Sequence, residues 1–135
     1  MYLIYDTETT GLPKNYDAPI TDAENWPRLV QLAWQLHAAD GSLIEAQNFI
    51  VKPEGFDIPY NSEQVHGIST KKALEEGIPL QEALNLFTEV LGKTKFVAGH
   101  NIEFDINIMG AEYMRVGDME PITSLPSVDT KNEST

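Results

Sequence analysis

Two acidic residues, two positions apart, follow the first apolar run of the chain. The run occupies residues 2–5, and Asp6 and Glu8 come directly after it. Because residues two apart in a β-strand point to the same face, these two carboxylates would project side by side. Like charges this close repel each other unless a cation lies between them, and hard ions such as Mg²⁺ or Mn²⁺ prefer carboxylate oxygens. The pair indicates either a metal site or a solvated strand end that carries two unrelated acids.

A third carboxylate lies in the segment HNIEFD at residues 100–105. If Phe104 faces the core of a helix that starts there, Asp105 lies about 100° further round, at the margin of the buried face. Ligand sites in open α/β sheets lie at the carboxyl ends of strands, and this helix would follow a strand at 96–99. Asp105 would then face the first acidic pair across one metal site. The alternative is a solvent-facing helical acid.

The elements that must position these acids follow from the spacing of the apolar residues. Strands are predicted for the first run, for 28–37, 43–51 and 96–99, and for a short segment at 127–129. Helices are predicted at 62–68, 71–76 and 80–91 and from 100 to Gly117, with Ser62 and Ser69 as N-caps of the first two. This order favours an α/β fold with flanking helices, whose mixed sheet extends three antiparallel strands by one or two parallel strands.

A polar loop at residues 13–27 separates the first two predicted strands. Its proline, asparagine and acidic residues predict an exposed and mobile segment. Trp26, near its end, would either stack on a nucleobase or cover the edge of the core.

The bulk composition limits the class of protein. A chain of 135 residues makes one domain, and the absence of cysteine excludes disulfides, thiolate zinc sites and thiol catalysis. The same absence suits a cytoplasmic location. Neither a signal-peptide pattern nor an apolar stretch of about 20 residues occurs, so no membrane partner is expected.

The net charge argues against simple binding to a polyanion. Nine Lys and Arg residues stand against 21 Asp and Glu residues, a formal net charge of −12. A protein that holds nucleic acid by broad neutralisation of phosphates is expected to be basic. Either the substrate is not nucleic acid, or bound cations, local donors or another domain supply the contacts.

Three motifs, taken together, resemble one family. Residues 6–12 read DTETTGL, residues 65–68 read VHGI, and residues 100–105 read HNIEFD. In order and spacing they resemble the DnaQ-like 3′–5′ exonucleases of the DEDD superfamily, which include the proofreading ε subunit and exonuclease domains of bacterial DNA polymerase III. The resemblance extends from Tyr2 to about Asp129 and implies a ribonuclease H-like fold. The His-Asn form of the third motif is similar to the DEDDh branch.

The resemblance implies a phosphodiesterase with two divalent metal ions, Mg²⁺ or Mn²⁺. It assigns Asp6 to both ions, Glu8 to the ion that activates water, and Asp105 to the second ion. Two ions about 3.5–4 Å apart stabilise the attacking and leaving oxygens of an in-line displacement. Metal ions, rather than lysines, would then contact the scissile phosphate, so an acidic surface would not prevent binding of the substrate.

The resemblance also implies a set of substrate-binding residues near the terminal nucleotide. They are Thr9, Thr10, Gly11, Leu12, His66, Asn101 and Phe104. In the family, the position of Leu12 wedges against bases. The alternatives are core packing for Leu12 and Val65, and a helix-end hydrogen bond for His66.

One part of the family pattern is missing. The DEDDh branch needs a general-base histidine five residues before a fourth carboxylate, on a later helix. Among His37, His66 and His100, only the last has an aspartate at that spacing, and that aspartate already belongs to the third motif. We therefore expect residues 1–135 to be an exonuclease domain that lacks its C-terminal helices. On its own it is expected to be inactive or severely impaired, because losing a general base costs about 10²- to 10⁴-fold.

The leading expectation is a metal-dependent 3′–5′ exonuclease of replication or repair. Its partners would be the 3′ end of single-stranded or frayed DNA and a DNA polymerase subunit or domain. An RNA-trimming exonuclease is one alternative, because catalytic motifs barely distinguish the sugar. A non-catalytic binding module on a nuclease scaffold is another, which the acidic surface and the missing base favour.

Overall fold

The structure is a computed structural model that describes residues 1–99, 101–117 and 127–129. Its strands are β1 (Tyr2–Thr9), β2 (Leu29–His37), β3 (Leu43–Ile50), β4 (Phe96–Gly99) and β5 (Ser127–Asp129). Its helices are α1 (Tyr60–His66), α2 (Thr70–Glu76), α3 (Leu80–Leu91) and α4 (Ile102–Arg115). Within these ranges, every helix is too short or too polar to cross a lipid bilayer.

The strands form one mixed sheet in the order β3-β2-β1-β4-β5. β1 pairs antiparallel with β2 and parallel with β4, β2 pairs antiparallel with β3, and β4 pairs parallel with β5. The predicted α/β fold, with three antiparallel strands extended by parallel ones, is therefore confirmed. The central strand, β1, delivers the first acidic pair at its carboxyl end.

The core lies on one face of the sheet, beneath α3 and α4. Leu3 and Tyr5 of β1 point into it, and the ring of Tyr5 meets Phe87 of α3 edge-on at 5.0 Å. Trp34, which pairs with Tyr5 in β2, lies 5.7 Å from the same Phe87 ring. Ile4, on the opposite face, is 38% exposed. Alternation along β1 thus separates a covered face from an open one.

The cap of the first helix differs from the expectation. α1 begins at Tyr60 after Pro59, two residues earlier than predicted, and Ser62 does not cap it. Instead the Ser62 hydroxyl donates a 2.5 Å hydrogen bond to the carbonyl oxygen of Thr10. The predicted cap at Ser69 is confirmed, because its hydroxyl accepts a hydrogen bond from the Lys72 amide.

The 13–27 loop is held more firmly than its composition suggests. The buried Asn25 side chain accepts a 2.8 Å hydrogen bond from the Asn15 amide and donates a 2.9 Å bond to the Asn15 carbonyl. Trp26 is 3% exposed, belongs to the core cluster, and donates from Nε1 to the Pro19 carbonyl. The prediction that Trp26 covers the core edge is confirmed, and stacking on a nucleobase is not open to it.

A buried ion cluster ties this loop to α4. Glu112 is fully buried and accepts hydrogen bonds from Arg28 Nε at 3.0 Å and from the Leu29 amide at 3.2 Å. The guanidinium of Arg115 contacts the same carboxylate and donates to two carbonyl groups of the 13–27 loop at 2.7 and 2.6 Å. Paired and hydrogen-bonded in this way, the buried charge is tolerated.

Candidate active site

Asp6 and Glu8 share one face of β1. The strand is longer than the apolar run and continues to Thr9, so both acids lie within it. Asp6 pairs with Ala33 and Glu8 with Gln31 on β2. Asp6 is exposed and Glu8 half-buried. Because residues two apart in a strand point to the same face, the two carboxylates lie on one side of β1, close enough for Asp6 to raise the pKa of Glu8.

Asp105 reaches the same strand from α4. Its side chain is buried, with 3% exposure, and its Oδ1 accepts a 2.6 Å hydrogen bond from the hydroxyl of Thr7. Thr7 stands between Asp6 and Glu8 in sequence but points to the covered face. The alternative of a solvent-facing acid at position 105 is therefore wrong.

The three acids interact electrostatically. Burial raises the pKa of Asp105 from 3.8 to about 7; the Thr7 hydrogen bond opposes this, and the charges of Asp6 and Glu8 add to it. A cation bound beside these acids would offset the repulsion that Asp6 and Glu8 exert and would favour the ionised form of Asp105.

The pKa of Glu8 is also raised. Burial raises its pKa first, repulsion from Asp6 raises it further, and His66 of α1 lowers it. His66 accepts at Nδ1 from the Ile68 amide at 3.1 Å, which places the proton of the neutral ring on Nε2. That Nε2 atom is buried and makes no hydrogen bond to the part of the chain that the structure describes. The helix-end hydrogen bond thus exists, and it leaves the other nitrogen available beside Glu8.

The residues fit a hard cation in their chemistry, but they do not enclose one. Paired carboxylate oxygens on a strand are suitable donors for Mg²⁺ or Mn²⁺. Across residues 1–99, 101–117 and 127–129, however, no group of three His, Asp or Glu side chains is arranged to hold a metal ion. Asp105 is turned toward Thr7, so the side chains that remain free to bind an ion are those of Asp6 and Glu8.

A cleft of about 540 Å³ lies next to the acids. It brings together Glu8 and five of the expected substrate-binding residues, which are Thr9, Gly11, Leu12, His66 and Phe104. Leu12 and Val65 line it and are 76% and 82% exposed. Core packing, the alternative for these two residues, is therefore wrong.

Thr10 points away from the cleft. Its hydroxyl accepts a 2.9 Å hydrogen bond from the Arg28 amide, and its own amide donates to the Arg28 carbonyl at 3.0 Å. With its carbonyl oxygen bound by Ser62, Thr10 joins the residue before β2 to α1. Its position suits a residue that holds the end of the DTETTGL motif, residues 6–12, in place.

Asn101 lies at the start of α4 and does not line the cleft. Its φ of 58° and ψ of 43° place it in the left-handed region, which asparagine tolerates better than most residues. It is exposed, and its carbonyl accepts from the amide of Phe104. His100, the first residue of this motif, lies outside the described residues.

Sequence reasoning missed three residues at this site. Thr7 holds Asp105, while Asn61 and Ser62 line the cleft. Thr7 was recognisable only as a small polar residue between two acids. Nothing in the sequence linked it to a partner 98 positions away.

One protein-family model matches nearly the whole sequence. The model RNase_T, described as Exonuclease, matches residues 3–132. Among curated proteins, the DNA polymerase III PolC-type of Latilactobacillus sakei is 32% identical over 136 residues, covering 96% of this chain and 8% of that protein. The PolC-type protein of Mycoplasmopsis pulmonis is 29% identical over 131 residues, covering 97% of this chain and 8% of its own length. The chain thus spans about a twelfth of the length of these relatives.

Solved structures share the fold. E. coli Exonuclease I in complex with a dT13 oligonucleotide matches with a TM-score of 0.77 at 20% identity, over 95% of this chain and 27% of that one. The metal-free E. coli ExoI–ssDNA complex matches with a TM-score of 0.80 at 18% identity, over 98% of this chain and 28% of that one. At such identities the likeness concerns the fold alone, and it confirms the expected ribonuclease H-like architecture.

Proposed function

Because the chain belongs to the exonuclease family described by the RNase_T model, we propose that it serves metal-dependent hydrolysis of phosphodiester bonds at the 3′ end of DNA. The observation that carries this proposal is the position of the cleft. Its wall includes Glu8, and Glu8 shares a strand face with Asp6. A nucleotide in the cleft would have its phosphate beside this acidic pair.

Each part of the chain has a role in this proposal. Asp6 and Glu8 would hold divalent ions, Mg²⁺ or Mn²⁺, with Asp105 as a third carboxylate. Two such ions, when bound, activate water and neutralise charge on the phosphate. Leu12 and Phe104 supply apolar contact to a base, and His66 lines the same cleft beside Glu8.

Bound metal ions would explain how a chain with a net negative charge can bind DNA. Lysines and arginines are too few to neutralise a strand of phosphates, and the acids of the site repel it. Binding of DNA should therefore depend steeply on divalent ions. We propose that residues 1–135 form one exonuclease domain whose general base and fourth carboxylate come from outside the described residues.

The test is the release of mononucleotides from a 5′-labelled single-stranded DNA in Mg²⁺ or Mn²⁺, comparing the wild-type chain with Asp6→Asn. We expect slow shortening from the 3′ end that the substitution abolishes. Asp40→Asn, in the exposed β2–β3 turn, makes the same change of net charge and should leave the rate unaltered. Equal rates of cleavage above background for wild type and Asp6→Asn would overturn the proposal, as would the absence of both cleavage and oligonucleotide binding. A parallel RNA oligonucleotide shows whether the sugar is discriminated.

A second candidate is a binding module without catalysis. The observation that favours it is the lack of a three-ligand metal group among the described residues. Such a module would bind the 3′ end with the same dependence on divalent ions and leave it intact after prolonged incubation. Binding without cleavage in the assay above would select this function.

A further inference from the structure

An exposed tyrosine lies beside the cleft. Tyr16, in the 13–27 loop, is 54% exposed, and its ring centroid lies 6.3 Å from that of Phe104 at an interplanar angle of 46°. Phe104 belongs to the cleft wall, whereas Tyr16 does not. Tyr16 therefore extends the apolar surface outward from the wall.

The loop holds this tyrosine in place. The backbone of Asn15, the preceding residue, donates one hydrogen bond to the buried Asn25 side chain and accepts another from it, and the Asn15 side chain accepts from the Asp17 amide at 2.9 Å. Further along, Arg115 of α4 binds two carbonyl groups of the same loop. Tyr16 thus stands on a turn whose backbone is held, although it lies in a polar loop, and a held backbone reduces the conformational entropy that binding costs.

The surroundings of Tyr16 indicate what its ring would contact. Single exposed apolar side chains are ordinary, but here Leu12 and Val65 of the cleft wall and Tyr16, whose ring lies near that of Phe104 in the same wall, are each more than half exposed. The immediate chain neighbours of Tyr16, Asn15 and Asp17, are exposed and polar. A flat ring with an open face suits a flat ligand, and nucleobases of any sequence stack on tyrosine.

We propose that Tyr16 is a stacking residue for a nucleobase of the substrate strand, at the mouth of the cleft. This inference rests on the proposed function. It gives the site a preference for unpaired strands, because a base stacked in the interior of a duplex presents no free face. It also supplies affinity that does not depend on charge, which matters for a protein with a net charge of −12.

The experiment measures binding, so it does not require turnover. Fluorescence anisotropy in Ca²⁺ compares a labelled dT6 oligonucleotide with an abasic hexamer that keeps the phosphates. The proteins are the full chain and its Tyr16→Phe, Tyr16→Leu and Tyr16→Ala variants, with Leu43→Ala as a control at an exposed apolar position on the edge strand β3.

Stacking predicts that dT6 affinity falls about 5- to 100-fold in Tyr16→Ala and Tyr16→Leu and stays within about twofold in Tyr16→Phe and Leu43→Ala. Affinity for the abasic hexamer should be equal in all five proteins. Equal dT6 affinity of wild type and Tyr16→Ala, or an equal loss for the abasic hexamer, would overturn the inference while leaving the proposed function intact. If the wild-type chain bound neither oligonucleotide, the proposed function would be wrong and this inference with it.

Discussion

The hydroxyl of Thr7 donates a 2.6 Å hydrogen bond to Oδ1 of Asp105. This bond joins the central strand to α4 between the two acids of the strand. It also opposes the burial that raises the pKa of Asp105, because it stabilises the ionised carboxylate. Thr7 therefore determines both where the third carboxylate lies and how easily it ionises.

Replacing Thr7 should make Asp105 harder to ionise. Thr7→Val keeps the shape and removes the donor, so the pKa of Asp105 should rise above about 7 in metal-free solution. The measurement is an NMR titration of the carboxyl carbon, with Asp105→Asn identifying the resonance. Thr7→Ser retains a hydroxyl and should restore the wild-type titration. A pKa that stays the same or falls in Thr7→Val would contradict this role of the hydrogen bond.

Asp105 should make the protein less stable as the pH rises. Its pKa is higher in the folded chain than the ordinary 3.8, so between pH 4 and pH 7 the folded state keeps a proton that the unfolded state loses. The free energy of unfolding should then fall as the pH rises through this window. At about 1.4 kcal/mol for each pKa unit, the total loss reaches up to about 4 kcal/mol once the pH is above 7.

Urea denaturation of the wild type and Asp105→Asn at pH 5 and pH 8 in EDTA checks this expectation. Asp105→Asn should remove the part of the fall in unfolding free energy that comes from Asp105. The pH dependence that remains comes from the other acids, which both proteins share. Mg²⁺ should stabilise the wild type at pH 8 more than the variant. An identical pH dependence in the two proteins would show that Asp105 ionises normally.

Breaking the buried ion cluster should cost far more than breaking an exposed pair. Glu112→Gln leaves Arg28 and Arg115 without their shared carboxylate, and the loss of one partner of a buried pair typically costs about 3–5 kcal/mol. Glu45→Gln, which removes the exposed contact with Lys93, should change stability by less than about 1 kcal/mol. Thermal unfolding measured by circular dichroism compares the two. Similar losses of stability in both variants would argue against the view that the buried cluster holds the 13–27 loop to α4.

Gly77 should not tolerate a side chain. A Cβ there would run into the carbonyl oxygen of Ala73 and come within 2.6 Å of the Lys52 amide nitrogen, both of them backbone atoms that cannot move aside easily. Gly77→Ala should therefore destabilise the fold by about 1–3 kcal/mol in chemical denaturation. Gly11→Ala is the matched control, because among the described residues no atom other than those of its chain neighbours lies within 4 Å of a Cβ at that position. A stable Gly77→Ala variant would mean that the junction of α2 with the chain after β3 is looser than described.

The sequence by itself determined the order of the elements and the shared face of Asp6 and Glu8. These features depend on local periodicity, and in a strand the side chains alternate whatever lies around them. It also indicated the family, because each of the three motifs is a short, contiguous stretch of sequence. Only the tertiary structure decided that Asp105 is buried against Thr7, that Thr10 holds the loop instead of lining the cleft, and that Leu12 and Val65 are exposed. Each of these depends on contacts between segments far apart in the chain, and periodicity carries no information about such partners.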